Sequence, residues 1–330
     1  MDQALTLKQI NRQLTPYTQA NPKRSVWEIF STLVPYLGIW ILATFLLKQS
    51  VHWGYVLPLN IVGGLFMVRT FIIFHDTCHG SFFKSKDINR WLGRFTGLLT
   101  FTPFEAWRQA HNRHHASSGD LDRRGVGDVW TMTSDEFRKA SKLKRLGYRL
   151  YRNPVVMFGL GPFFMLLISN RFAARTDKKS VKNSIRLTNL VLLIWILALS
   201  WLIGFKTFLM IQLPIIFVGG LIGIWLFYVQ HQFEETYWSK SEQWDVIQAA
   251  LKGSSYYKLP ALLHWLTGNI GYHHVHHLRS GIPFYNLARC HAQTDLFRRV
   301  PGLSIKESLK TVKLRLWDEE SQRMIAFQEL

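Results

Sequence analysis

The chain has 330 residues, of which 48% are hydrophobic and 14% aromatic, and its formal net charge is +19. Four apolar runs argue against a soluble domain, because each is close to the ~20 residues with which a helix crosses a bilayer. The basic excess does not indicate nucleic-acid binding, since no such motif accompanies it and membrane topology explains it. The runs predict transmembrane helices over about 26–47, 51–74, 187–204 and 208–230.

The distribution of Lys and Arg predicts the orientation of these helices. Of the 40 such residues, only Lys48, Arg69 and Lys206 lie in or between the paired helices. Positively charged segments stay on the cytoplasmic side of a membrane. We therefore expect a multi-pass protein of the plasma membrane with residues 75–186, residues 231–330 and both termini in the cytoplasm.

The N-terminal region shows no cleavable signal peptide, because its first 25 residues are polar and the first apolar run has full transmembrane length. Cys78 and Cys290 fall in predicted cytoplasmic segments, so we expect free thiols. Arg69 lies near the inner end of the second predicted helix. We interpret it as an anchor whose long side chain reaches the head groups.

Histidines are concentrated at the inner end of the second helix and in the segment that follows. The helix ends in HDTCH, and if it continues, His75 and His79 lie on one face, as a bidentate metal site requires. Three further histidines stand at i, i+3 and i+4 of a predicted helix, on one stripe: His111, His114 and His115. The aspartates of the following loop, Asp120, Asp122 and Asp128, are typical of turns and are not assigned as ligands.

Two cytoplasmic segments have amphipathic patterns. Residues 134–152 are rich in Lys and Arg, with Leu143, Leu146 and Leu150 at roughly helical spacing. This predicts a basic helix on the inner membrane surface, which is compatible with docking of an acidic protein. Ser304 and Glu307 form a capping box, which predicts a C-terminal scaffold helix with an apolar stripe continuing to Leu316.

A second concentration of histidines comes from the C-terminal half. The fourth predicted helix ends at His231, on the same side of the membrane as His75. The sequence GYHHVHH then repeats the i, i+3, i+4 spacing through His273, His276 and His277. His274 is adjacent to this set, and its role stays open.

Nine histidines are therefore predicted at the cytoplasmic rim: His75, His79, His111, His114, His115, His231, His273, His276 and His277. One metal ion does not use nine imidazoles, whereas two ions with four or five ligands each do. A closed structural zinc site uses only four ligands, so the number favours a dinuclear catalytic centre. Imidazole alone does not identify the metal. Asp76 and Glu234, each close in sequence to a predicted ligand, are candidates for carboxylates that orient imidazoles.

The boxes HDTCH, HNRHH and HHVHH resemble those of the membrane fatty-acid desaturases of the histidine-box di-iron type. The stretches FIIFHDTCHGSFF, YVQHQFEETYW, GSSYYKLP and TGNIGYHHVHHL are similar to the bacterial acyl-lipid desaturases, most closely the delta-five phospholipid type. The resemblance covers nearly the whole chain. It implies one all-α domain over residues 1–330, with four transmembrane helices and a cytoplasmic helical cap that carries the histidine boxes.

The resemblance also implies an activity. Two Fe ions would bind O2 and introduce a cis double bond into acyl chains of membrane phospholipids, as in adaptation to cold. Animal acyl-CoA desaturases have one more residue in the first box and an Asn where this chain has Phe227, so one iron is expected to be coordinated differently. No fused cytochrome b5-like domain is seen, which implies ferredoxin or flavodoxin as a separate electron donor. The oligomeric state is not implied.

Two alternatives stay open at this point. Hydroxylases and ketolases of the same superfamily share the boxes and would add oxygen to the lipid. A histidine-rich metal transporter is a candidate from a different class. Transporters place ionisable groups near mid-membrane, whereas these histidines are predicted at one rim, which favours an enzyme.

Overall fold

The computed structural model describes residues 6–298, 300 and 302–330. Helices dominate this part of the chain, which confirms the predicted helical class, and short strands accompany them. The residues form two compact units. Unit 1 combines residues 6–20, Ala110–Pro154 and Leu226–Leu330, and unit 2 combines Asn21–Gln109 and Val155–Trp225.

The α-helices of the described residues are, in chain order, α1 (Leu7–Leu14), α2 (Pro22–Lys48), α3 (Trp53–His79), α4 (Lys86–Leu99), α5 (Phe104–Ser117), α6 (Ser134–Lys139), α7 (Lys142–Tyr151), α8 (Gly161–Phe163), α9 (Lys179–Ile203), α10 (Phe205–His231), α11 (Val246–Leu251), α12 (Ala261–Leu266), α13 (His273–Leu278), α14 (Phe284–Gln293) and α15 (Ile305–Thr311). The strands are β1 (Met132–Thr133), β2 (Tyr256–Lys258), β3 (Gly302–Ser304), β4 (Leu314–Asp318) and β5 (Arg323–Ala326). The segment after α7 forms π-helical turns on both sides of α8, at Val155–Leu160 and Phe164–Ile168.

Four helices among the described residues, α2, α3, α9 and α10, are long and apolar enough to cross a membrane. Each lies over one of the predicted apolar runs and extends beyond it. α3 continues to His79 and stops at Gly80, whose φ of +71° is a left-handed conformation that glycine adopts without strain. His75 and His79 are therefore one helical turn apart.

In unit 2, glycines allow α3 and α10 to approach closely. A Cβ on Gly64 would lie 2.6 Å from the Val218 side chain, and one on Gly219 would lie 2.9 Å from the Met67 sulfur. Small residues let membrane helices pack backbone against backbone where no hydrophobic driving force separates lipid from protein. These glycines fix the path of the helix that ends in the first histidine box.

Arg69 is a buried charge inside unit 2, and the interpretation as a snorkelling anchor is wrong. Its side chain is 1% exposed and forms an ion pair with Glu28 of α2, which is also 1% exposed. Its Nε donates to Thr32 Oγ1 at 3.0 Å, and Glu28 also accepts from the exposed Arg24. The sequence did not indicate this pairing because the two residues are 41 positions apart. The pair links α2 to α3 within the apolar region.

Removing one partner of this pair is expected to destabilise the protein strongly. Glu28→Gln leaves the Arg69 guanidinium buried without its carboxylate, which costs about 3–5 kcal/mol in comparable cases. Thermal unfolding of the purified protein in detergent measures the effect. The double variant Glu28→Leu/Arg69→Met removes both charges and is expected to unfold near the native temperature. An unchanged unfolding temperature for Glu28→Gln would show that the pair carries no stability.

Unit 1 contains two small sheets that the sequence did not predict. β1 pairs in parallel with β4 through Met132–Leu316 and Thr133–Trp317, and β4 pairs antiparallel with β5. β2 and β3 form a parallel pair. The capping box of α15 is confirmed, but the predicted apolar stripe to Leu316 is not helical. Helix α15 ends at Thr311 because the following residues enter β4, where Leu316 and Trp317 are buried.

The basic segment 134–152 forms two helices rather than one. α6 ends at Lys139, and Ser141 caps the start of α7 by accepting from Lys144 N. In α7, Tyr148 is fully buried, whereas Leu143 is 79% exposed and Leu146 and Leu150 are exposed as well. An exposed leucine stripe flanked by cations is typical of a helix that lies in a membrane interface.

Candidate metal centre

Four of the nine predicted histidines come together in unit 1. The ring nitrogens that His114, His231, His273 and His277 offer all lie within 4.8 Å of one another. We call this group the four-histidine cluster. His114 Nε2 is 3.1 Å from His231 Nε2 and 3.2 Å from His277 Nε2, and His231 Nε2 is 2.9 Å from His273 Nε2. The ligands come from α5, the end of α10 and α13.

Three more predicted histidines form a second group in unit 1, the three-histidine cluster. His115 Nε2 is 3.1 Å from His111 Nε2 and 3.0 Å from His276 Nε2. The remaining two predicted ligands belong to unit 2, where the ring centroids of His75 and His79 lie 4.8 Å apart at the end of α3. His75 Nδ1 is 3.2 Å from the Asp76 carboxylate, one of the two predicted orienting groups.

The hydrogen bonds of the Nδ1 atoms fix the tautomers of two rings in the four-histidine cluster. His231 Nδ1 lies 3.0 Å from the carbonyl oxygen of Gly253, which only accepts, so this nitrogen carries the proton. His114 Nδ1 lies 2.5 Å from Asp128 Oδ1 and donates to the carboxylate in the same way. A neutral imidazole has one ring proton. When both rings are neutral, as metal ligation requires, each Nε2 presents a lone pair to the other.

Two lone pairs facing each other at 3.1 Å repel unless a cation lies between them. The separations also match a coordination shell, because nitrogens bound to one metal at 2.0–2.1 Å are about 2.9–3.4 Å apart. The donor set is thus suited to a transition-metal ion that prefers imidazole. The four-histidine cluster fits a metal better than it fits a hydrogen-bond network.

His277 has the protonation state that metal binding requires. Burial lowers the pKa of His277 well below its ordinary value, and the four neighbouring histidine rings lower this pKa further. The ring is consequently neutral near pH 7 and offers a lone pair.

Phe227 packs against two other rings of the four-histidine cluster. Its centroid lies 5.1 Å from the His114 ring and 5.3 Å from the His231 ring.

His274 points to a different environment from its neighbour His273. Its Nε2 is 2.9 Å from His291 Nδ1, and its ring is fully buried. Burial, followed by the effect of His291, lowers the pKa of His274 to about 3.

Glu234, the other predicted orienting carboxylate, is largely exposed and forms an ion pair with Arg323 at 3.3 Å. This placement does not support a contact between Glu234 and a histidine ligand.

The structure shows two orienting groups that the sequence does not indicate. Asp128 lies in a loop rich in Gly and Asp, which predicts a turn residue, and nothing in its spacing from His114 distinguishes it from the other aspartates of that loop. The Gly253 carbonyl is a backbone group, and no residue type signals it. A glycine is needed there, since a Cβ on Gly253 would lie 2.5 Å from the Ala249 carbonyl oxygen.

Comparison with known proteins agrees with this geometry. The family model for fatty acid desaturases matches residues 51–301. The chain belongs to the fatty acid desaturase family. A fatty acid desaturase of Bacillus subtilis (strain 168) is 44% identical to this desaturase over 323 residues, which cover 98% of this chain and 91% of the relative.

More distant relatives of the desaturase include cyanobacterial enzymes. An sn-1 oleoyl-lipid 12-desaturase of Synechocystis is 29% identical over 78% of this chain and 71% of its own length. An sn-1 acyl-lipid omega-3 desaturase (ferredoxin) of Nostoc is 27% identical over 75% and 68%. The family and the four apolar helices make this desaturase a membrane-bound oxidoreductase with histidine clusters that suit metal binding.

Proposed function

We propose that this desaturase is an oxygen-dependent di-iron enzyme that introduces a cis double bond into acyl chains of membrane lipids. The convergence of four imidazole nitrogens within 4.8 Å of one another carries the metal assignment. Family membership supports iron and desaturation over a different metal or transport. The names of the cyanobacterial relatives, which refer to acyl-lipid substrates, support membrane lipid rather than a soluble acyl thioester.

The proposed ligands of the two irons are the nine histidines predicted from the sequence. The four-histidine cluster would hold one iron. The three-histidine cluster would contribute to the other. His75 and His79 are proposed ligands as well. When bound, the irons supply, with O2, the oxidising power to remove hydrogen from an unactivated methylene, which no amino-acid side chain has.

Residues next to the four-histidine cluster orient two of its rings and cover them. Asp128 and the Gly253 carbonyl hold the Nδ1 protons of His114 and His231, which keeps both Nε2 atoms available as ligands. The Phe227 ring covers the His114 and His231 rings and excludes water from that side. A dry surrounding protects a reactive centre from side reactions.

The proposal also covers the source of electrons and the orientation of the protein in the membrane. Two electrons per double bond would come from a small acidic protein such as ferredoxin or flavodoxin, and the Nostoc relative's name includes ferredoxin. The strongly basic segments outside the apolar helices complement an acidic donor. They also favour a plasma-membrane protein with both termini in the cytoplasm.

Expression in a host that lacks unsaturated lipids tests the reaction. We expect a new monounsaturated acyl chain in the phospholipid fraction, and mass spectrometry of the lipids locates the double bond. A chain that is heavier by one oxygen would identify a hydroxylase instead. Omission of O2 during expression is the control and is expected to leave the lipids saturated.

A further inference from the structure

A basic pocket in unit 2 has no role in the metal centre. It has a volume of about 360 Å³ and lies between the turn Ser169–Arg171, the loop after it and the first turns of α9. Four cationic side chains line it: Arg171, Arg175, Lys182 and Arg186. We call this cavity the basic pocket.

The spacing of the α9 residues explains how one helix face forms a wall of this pocket. Lys182, Ile185, Arg186 and Asn189 stand at i, i+3, i+4 and i+7, so they share a face. Ile185 is buried, which gives the pocket an apolar floor between its cations. The other two cations come from the segment that precedes the helix, so the charges converge from separate parts of the chain.

Arg171 is held in a fixed orientation at one side of the pocket. One of its terminal nitrogens donates to the carbonyl of Phe101, and the other donates to Asn189 Oδ1 at 3.0 Å. Asn189 Nδ2 in turn donates to the Arg171 carbonyl at 2.9 Å. Arg171 Nε is buried and has no hydrogen-bond partner among the described residues. A guanidinium fixed in this way loses little entropy when it binds an anion.

The sequence around the pocket cations is poor in acidic residues. Asp177 is the single acidic residue between positions 155 and 189, and its carboxylate accepts from Ala174 N at 2.7 Å. Within the described part of the chain, none of the four cations forms a salt bridge with a carboxylate. Lys182 Nζ donates to the Arg175 carbonyl, which brings the ammonium close to the loop. Four like charges around one cavity repel one another unless an anion joins them.

The position of the pocket on α9 indicates the class of anion. Directly after Arg186 the helix becomes apolar, and Leu187, Leu190 and Leu193 are each more than half exposed. Such leucines face acyl chains in a helix that crosses a membrane, and Phe172 at the edge of the pocket is 74% exposed. The cations therefore lie where a membrane helix passes from lipid tails to head groups. Basic pockets at this level bind anionic head groups.

We propose that the basic pocket binds the phosphate of an anionic phospholipid, with the acyl chains of that lipid against the exposed leucines of α9. This site lies beyond the desaturation reaction and does not depend on the metal assignment. Arg171, Arg175, Lys182 and Arg186 supply the charge, and the Arg171 guanidinium holds one side of the pocket in a fixed position.

Native mass spectrometry of the full-length holoenzyme in a neutral detergent tests this site. Phosphatidylglycerol, phosphatidylcholine and diacylglycerol are the probes, and inorganic phosphate is the competitor. We expect phosphatidylglycerol to bind in preference to the other two lipids. The double variant Lys182→Gln/Arg186→Gln is expected to bind it about 30-fold more weakly, at about 1 kcal/mol for each charge lost.

Lys178→Gln/Lys179→Gln is the matched control, because it removes two charges from the same helix start but neither residue lines the pocket. It is expected to bind phosphatidylglycerol as the native protein does. Ala173→Trp fills the pocket without changing charge and is expected to weaken binding too. Equal losses in both double variants, equal binding of diacylglycerol, or displacement of the lipid by millimolar inorganic phosphate would each overturn the proposal. Unfolding temperatures of all variants identify any loss of fold.

Discussion

The His276→Ala variant is expected to make no detectable unsaturated lipid and to retain less iron than the native protein. His276 Nε2 is 3.0 Å from His115 Nε2 in the three-histidine cluster, so the substitution removes one proposed ligand and leaves the four-histidine cluster intact. Iron per protein should therefore fall toward one of the two ions. Elemental analysis of purified protein and lipid analysis of the expressing cells measure the two effects.

His274→Gln is the matched control for this experiment, because His274 belongs to the same box but contacts His291 instead of the clusters. We expect it to keep native iron content and to support desaturation. Both variants should be recovered in the membrane fraction in native amounts. Full activity in His276→Ala would refute its assignment as a ligand, and equal iron loss in His274→Gln would refute the distinction between the two residues.

The Asp128→Asn variant is expected to lower iron affinity or desaturation about 10–100-fold, the usual effect of removing a carboxylate that orients a ligating histidine. The amide no longer carries the charge that holds the proton on His114 Nδ1. His114 Nε2 then becomes a weaker donor to the metal. Iron retention during dialysis against a chelator measures the change independently of turnover.

Asp122→Asn changes another aspartate of the same loop and serves as the control. Its carboxylate accepts from Ser241 N at 2.9 Å and does not contact a histidine in the described structure. We expect this variant to retain iron like the native protein. If Asp128→Asn also retains iron, then the His114–Asp128 contact does not support the metal site.

The spacing of the histidine boxes predicted the helices that carry them. It did not predict which histidines join which cluster. In α5, His111 and His115 join one cluster, whereas His114 joins the other. The i, i+3, i+4 spacing by itself predicts all three on one stripe. Adjacent positions on a helix diverge by about 100°, so His114 and His115 point to different clusters. α13 repeats the arrangement, since His273 and His277 join the four-histidine cluster and His276 does not.

Contacts between distant segments were beyond the reach of sequence patterns. The length of the apolar runs was sufficient to predict the four long helices, because the hydrophobic thickness of a bilayer sets the length that a helix needs to cross it. Arg69 and the strand β4 depend on partners far away in the chain, and Asp128 depends on one 14 positions away. Their local sequences favour an anchor, a helix and a turn. Tertiary pairing overrode the local preference in all three cases.

The pairing of β1 with β4 joins a segment translated before α9 and α10 to one translated after them. The loop that carries Asp128 leads directly into β1, whose only strand partner in the described residues is β4, at Leu314–Asp318. His114 and Asp128 are translated before α9 and α10, whereas β4 is translated after them. All four apolar helices are translated before that point. The loop that carries Asp128 therefore gains this strand pairing only after all four apolar helices have been synthesised.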